Sequence, residues 1–234
     1  MAVAAPTATR TLSNGRQPAA GRPPAELLVA TGIEKSFRRG LWPFATRTPV
    51  LRGVDLTLRR GEVVGLAGEN GSGKSTLMKI IVGALAADNG TVTRDGRLGY
   101  CPQQPLVYER LTCDEHFELF GHAYSMTDQA IIASRDDLYE ALGFGGYART
   151  RADRLSGGTL AKLNLALALL PDPELLLLDE PYAGFDWDTY LKFWDLVADR
   201  RHLGRTVLII SHFVVDEDKF DRIVDVKDGR AVPR

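Results

Sequence analysis

Apolar residues follow three rhythms along this chain. Glu62-Val63-Val64-Gly65-Leu66, Glu174-Leu175-Leu176-Leu177-Leu178 and Thr206-Val207-Leu208-Ile209-Ile210 are short, almost unbroken apolar runs. That length and composition predict parallel strands buried on both faces. Val50 to Leu58 alternates in part and predicts a half-exposed strand, as do Glu26–Ala30 and its continuation from Ile33 to Phe37. Helical spacing marks Thr76 to Val82, Thr159 to Leu170 and Trp187 to His202, the last with Leu191, Trp194 and Val197 or Ala198 on one face and Gly204 as its cap. Gly40 to Phe44 reads as a hairpin excursion. Asp88-Asn89-Gly90 reads as a turn, followed by short strands at Thr91–Thr93 and Leu98–Cys101, and Pro102-Gln103-Gln104-Pro105 stops regular structure. From Pro105 to about Arg154 aromatic residues and helical spacing take over, with Phe117, Phe120 and Tyr124 followed by Leu138, Leu142 and Phe144, and with Gly143, Gly145 and Gly146 ending a helix. This stretch is expected to be an inserted helical unit whose aromatic stripe is core. Two short edge strands, near Arg222–Val224 and Arg230–Val232, close the pattern around Asp228-Gly229.

Strands alternating with helices place the chain in the α/β class. At 234 residues and 44% hydrophobic content it suits one large domain, or a core with a subdomain. A net charge of −1 argues against a generic nucleic-acid binder. Cys101 and Cys113 have no metal-like spacing and suggest no disulfide framework, which fits a reducing cytoplasm. No apolar run reaches the ~18 residues a membrane span needs, so a membrane role is expected to come through a partner. Residues 1–25 are rich in Ala, Pro, Thr and Gly with Arg10, Arg16 and Arg22; they read as a disordered tail without the apolar core of a secretory signal.

Candidate chemistry begins at Gly68-Glu69-Asn70-Gly71-Ser72-Gly73-Lys74-Ser75-Thr76. This is G-x-x-x-x-G-K-[ST] between an apolar strand and a helix, the phosphate-binding loop of nucleotide hydrolases. Glycines keep side chains away from backbone N–H groups that cradle phosphate. Lys74 supplies a cation to the β- and γ-phosphates, and Ser75 a hydroxyl to Mg²⁺. Asp179 and Glu180 end the buried Leu175–Leu178 run, where a parallel strand delivers its last residues to the ligand crevice. There Asp179 is expected to hold Mg²⁺, mostly through water, and Glu180 to polarise the attacking water.

The order of phosphate loop, glutamine, Leu155-Ser156-Gly157-Gly158, apolar-Asp-Glu and Ser211-His212 resembles the ATP-binding-cassette ATPase family over residues 26–232. The resemblance implies a RecA-like P-loop NTPase core, about residues 26–104 and 155–234, with an antiparallel β subdomain and a helical subdomain at about 105–154. It implies ATP and Mg²⁺ as cofactors. Phe37 matches the aromatic that stacks on adenine, Gln103 the glutamine that touches Mg²⁺ and the γ-phosphate, Asp186 the loop that crosses between protomers, and His212 the histidine at the γ-phosphate. Gln104 competes with Gln103, and the preceding Tyr100-Cys101-Pro102 favours Gln103. Ser156, Gly157 and Gly158 are expected to close over the nucleotide of a second cassette, in a dimer formed on ATP binding, with a homodimer the default. Thr159, Lys162 and Phe185 depart from the commoner Gln, Arg and Leu, and the segment between Gly96 and Pro102 is short; none of these removes a catalytic group.

The leading expectation is the ATP-hydrolysing subunit of a membrane transporter, cytoplasmic and peripheral on the inner face of the membrane through a permease. That permease would dock a short coupling helix on the helical subdomain. Leu111 to Glu115 and the compact C-terminus look most like those of drug, antibiotic or polysaccharide exporter systems. The alternatives are a soluble cassette acting on a ribosome, nucleic acid or assembly scaffold, and a nucleotide-binding regulator without turnover. The Arg38-Arg39, Arg47, Arg52, Arg59-Arg60 group reads as a solvated strand edge, and no nucleic acid is expected.

Overall fold

A computed structural model describes residues 25–39, 46–211 and 217–234. The N-terminal tail, the 40–44 excursion and His212 therefore lie outside the described residues. Two sheets organise the rest. In the first, β1 (Glu26–Arg39) lies between β2 (Thr46–Arg59) and β4 (Asn89–Arg94), all antiparallel. In the second, β5 (Leu98–Cys101), β6 (Leu175–Asp179), β7 (Thr206–Ile210), β3 (Val63–Ala67) and β8 (Arg222–Lys227) run parallel in that spatial order, and β9 (Arg230–Pro233) pairs antiparallel with β8. The helices are α1 (Lys74–Ile81), α2 (Cys113–Ala123), α3 (Asp128–Leu142), α4 (Gly157–Leu169) and α5 (Trp187–His202).

Every residue of β3, β6 and β7 is buried, as the unbroken apolar runs require. Their side chains serve two cores. Leu176, Leu178, Val207 and Ile209 face the helices, including Phe117, Phe144 and Phe193, each fully buried. Each such burial contributes about 1.5–3 kcal/mol. Leu175, Leu177, Leu208 and Ile210 face the antiparallel sheet and α1. The Arg222 guanidinium fastens the two sheets: it donates to both Glu62 carboxylate oxygens (2.9 and 3.2 Å) and to the Thr57 carbonyl.

Several expectations need correction. The strand at Arg222 is interior rather than an edge, because Ile223, Val224 and Val226 are buried and it pairs with β3. The Asp88–Gly90 turn is displaced: Asn89 and Gly90 already belong to β4. Gly90 is needed because a Cβ there would meet the Gly32 carbonyl oxygen at 2.5 Å, where β1 and β4 approach closely. The segments at 26–30 and 33–37 are one strand with register shifts near Gly32. On α5 the buried face is Phe193, Trp194, Leu196 and Val197, whereas Leu191 and Ala198 are exposed. Tyr182 meets Tyr190 and Phe193 edge-to-face, and Trp194 meets the same two rings, which turns Leu191 outward. In the aromatic stripe Phe117 and Phe144 are core, Phe120 packs against it, and Tyr124 is exposed.

α2 and α3 fall between β5 and α4, where the helical insertion was expected. Thr112 starts α2 with a capping box completed by Glu115, and Gly143 ends α3 in the left-handed conformation. Among the described residues no helix is long and apolar enough to cross a membrane.

Candidate functional site

The site forms at the carboxyl ends of β3, β6 and β5. Leaving β3, the chain turns through Gly68 and Gly71, both at positive φ, to Gly73 at φ 110°, which caps α1. A Cβ on Gly68 would stand 2.4 Å from the Val226 carbonyl oxygen, and one on Gly73 would stand 2.7 Å from Leu51 Cδ2. Both glycines are thus required twice, by backbone conformation and by close approach of β8 and β2. A Cβ on Gly71 would meet nothing within 4 Å, because the loop's open side faces a cavity of about 500 Å³.

Lys74 is 4% exposed and donates from Nζ to the carbonyls of Gly68 (2.7 Å) and Glu69 (2.9 Å). Burial holds its pKa below the ordinary lysine value, and Glu180 and Asp179 oppose that shift by stabilising the charge. β6 brings Asp179 to the loop: its Oδ1 accepts from Ser75 Oγ at 3.5 Å. Glu180 follows at φ 52°, a left-handed conformation costly for a non-glycine residue, and its N–H donates to the Ile210 carbonyl. From the end of β5, Gln103 Nε2 donates to Glu180 Oε2 at 3.0 Å. Asn70, Gly71, Lys74, Ser75, Thr76, Gln103 and Glu180 line the one cavity.

On the other side of the loop Gly68, Glu69 and Ser72 share with Arg52 and Asp228 a second cavity of about 530 Å³. Among the described residues, buried Ser72 Oγ there has no hydrogen-bond partner. Phe37 lines neither cavity; its ring is exposed, with Lys35 Nζ 5.8 Å from the centroid.

The signature residues form a separate cluster. Ser156 caps α4 by accepting from Thr159 N–H at 3.2 Å, and the two hydroxyls lie 2.9 Å apart. Thr159 therefore turns inward and is buried. Asp186 caps α5 by accepting from Thr189 N–H at 2.8 Å, and its bonds to Thr189 hold its pKa below the ordinary carboxylate value. Gly158 joins the two helix starts: a Cβ there would stand 2.7 Å from the Gly184 carbonyl oxygen, whereas one on Gly157 would meet nothing. Ser156, Gly157, Gly158 and Asp186 line neither cavity beside the phosphate loop.

Three contributions escaped the sequence reading. Val50 lines the first cavity and packs on Gly73. Tyr182 donates its hydroxyl to Ser211 Oγ at 2.5 Å. Asn164, buried in α4, donates from Nδ2 to the Pro102 carbonyl at 2.8 Å. Only Asn164 carried a signal, as a lone amide among leucines and alanines.

The donor set suits a magnesium-bound nucleoside triphosphate. A glycine-rich turn and a buried lysine line the first cavity, and Ser75 and Asp179 are close enough to share a cation through oxygen atoms. Among the described residues no group of three His, Cys, Asp or Glu forms a protein-only cage.

A family model described as ABC transporter matches residues 51–183. A Nod factor export ATP-binding protein I of Azorhizobium caulinodans is 34% identical over 81% of this chain, and the match spans 63% of that protein's length. A fluoroquinolones export ATP-binding protein of Mycobacterium tuberculosis is 33% identical over 93% of the chain and 73% of its own length. A zinc import ATP-binding protein of Chelativorans is 37% identical over 80% of the chain and 63% of its own. Among solved structures, a bacterial ABC transporter cassette determined as a dimer superposes with a TM-score of 0.78 at 25% identity, covering 88% of this chain and 96% of that one.

Proposed function

This chain belongs to the ABC transporter family, and we propose that it is the ATP-hydrolysing subunit energising a membrane transporter, an exporter in direction. The observation that carries the reading is the convergence of Lys74 and Ser75 from the loop after β3, Gln103 from the end of β5, and Asp179 and Glu180 from the end of β6. When bound, MgATP supplies the phosphoanhydride bond and the cation that offsets phosphate charge. The residues of the chain do the rest. Lys74 exchanges the Gly68 and Glu69 carbonyls for β- and γ-phosphate oxygens. The N–H groups from Asn70 to Thr76 point at the phosphates from the start of α1. Ser75 and Asp179 would hold the cation. Glu180 accepts a proton from the attacking water. The Gln103 amide holds the Glu180 carboxylate in place and would supply an oxygen to the cation. By resemblance Phe37 stacks on adenine and His212 contacts the γ-phosphate.

Ser156, Gly157, Gly158 and Asp186 are assigned to the nucleotide of a second copy. Their separation from the loop of their own chain and the dimeric relative support this. Residues 105–154 form the helical subdomain, inserted in a core of 26–104 and 155–234, and receive the permease, which holds the chain at the inner face of the membrane on its cytoplasmic side. Two export proteins among the relatives favour export, and the zinc importer among them makes direction the first part to test. Of the strand-edge arginines, Arg60 pairs with Asp95, and Arg47 shares Asp88 with Lys35.

The test is twofold. E180Q should lower ATP turnover by about 10²-fold or more while retaining nucleotide binding, and a tagged chain should recover a polytopic membrane protein from detergent-solubilised membranes. Undiminished turnover in E180Q, or recovery of soluble partners alone, overturns the proposal.

A further inference from the structure

Asn164 is 6% exposed in a helix whose neighbouring positions, Leu163 and Leu165 to Leu169, are all buried and apolar. An amide is costly in such a place unless it is hydrogen-bonded. Its Nδ2 donates to the Pro102 carbonyl at 2.8 Å and lies 3.2 Å from Cys101 Sγ. The gripped carbonyl belongs to the peptide that leads into Gln103, and the Gln103 amide in turn donates to Glu180. Ser156, at the start of the same helix, lies eight residues earlier, about 12 Å along the axis. One rigid element thus carries the signature serine at its tip and the anchor of Gln103 two turns in.

We infer that Asn164 is a positioning residue that ties the signature helix to Gln103, so that a displacement of α4 resets the glutamine against Glu180 and the cation. The inference rests on the roles given above to Gln103 and Glu180. The competing account is that Asn164 only satisfies a half-buried carbonyl and holds the fold.

The two accounts separate in a double-mutant cycle on the full chain, comparing the unaltered protein, N164L, Q103A and the double variant. The readouts are the Mg²⁺ concentration for half-maximal binding of a fluorescent ATP analogue, which needs no turnover, and kcat with KM for ATP. N164L preserves the apolar volume and removes the donor. It should raise the half-saturating Mg²⁺ concentration about three- to tenfold and lower kcat about tenfold, with KM changed less than about twofold. In the Q103A background it should do nothing further, because residues acting as one unit are not additive. Equal effects of N164L with and without Gln103, or none on either readout, overturn the inference. Should N164L fail to fold, N164D keeps the shape and replaces the donor by a carboxylate. Its defect should then fade as pH falls and the buried carboxyl regains a proton to donate, and a pH-independent defect overturns the inference. Q103A that moves neither readout refutes the role of Gln103 and the inference with it. Equal turnover in E180Q and the unaltered chain instead refutes the ATPase reading.

Discussion

Gly157 and Gly158 are adjacent, identical, and should respond oppositely to alanine. A Cβ on Gly158 would stand 2.7 Å from the Gly184 carbonyl oxygen, while one on Gly157 has nothing within 4 Å among the described residues. Neither glycine is at positive φ, so no conformational strain enters. At Gly158 the methyl must displace backbone by about half an ångström, and such overpacking costs about 1–3 kcal/mol. Because the obstructing atom is a backbone oxygen and not the end of a flexible side chain, the cost lies in the upper part of that range, about 2–3 kcal/mol; better helix propensity returns up to about 1 kcal/mol, leaving G158A destabilised by about 1–2 kcal/mol. For a domain of this size that is a fall in Tm of roughly 2–8 °C. G157A keeps the propensity gain alone and should match or exceed the parent. Urea unfolding with linear extrapolation, alongside calorimetric Tm, measures both. A G158A protein as stable as the parent, or a G157A protein that loses as much as G158A, would refute the idea that the signature turn is built against the Gly184 loop within one chain.

Two further outcomes follow from the same geometry. Lys74 is held below the ordinary lysine pKa by burial, so ATP-analogue affinity should be level at low pH and fall as pH rises through that lowered value; binding measured between about pH 7 and 10 reads this, and K74M should abolish the dependence along with most of the affinity. Unfolded chain keeps that proton up to the ordinary value, so this one group makes stability rise with pH over the same window. T112A removes a hydroxyl that accepts from Glu115 N–H at 3.2 Å and donates to the Glu115 carboxylate at 2.9 Å, leaving only the backbone N–H of residue 112 on that carboxylate; a loss of about 0.5–2 kcal/mol in urea unfolding is expected.

The buried strands and the phosphate loop were legible because their physics is local. Four or five apolar residues in a row can only be a doubly buried strand or a piece of buried helix, and Gly68 to Thr76 carries its ligand chemistry in residue types alone. Legibility failed where a position depends on what a distant segment places beside it. Arg222 to Lys227 looked like an edge because β3, its partner, lies far upstream. Trp194 and Val197 were placed rightly on the buried face of α5, but Leu191 was not, because Tyr182 meets both Tyr190 and Phe193, a packing choice that helical spacing cannot contain. Gly90 resembled a turn glycine, yet it serves a close crossing with Gly32. In the site, the residue types were readable, but the Gln103 bond to Glu180 and the Asn164 bond to Pro102 join segments 77 and 62 residues apart.

The placement of β3 bears on how the chain is made. Both strands that flank it come late: Gly61 bonds to a residue 145 positions downstream and Val63 to one 158 positions downstream. At about 5–20 residues per second, translation leaves the five apolar residues of β3 without either neighbour for roughly 7–30 s. The β1–β2 ladder, closed over a short connection, can form in that interval, but the phosphate loop cannot be set until Val226 arrives against Gly68. Nucleotide therefore cannot assist the early steps of folding, and the nascent chain must shelter β3 by chaperone or by transient collapse onto the first sheet. Ribosome-bound chains stalled before and after β8 would differ in protease resistance at this strand.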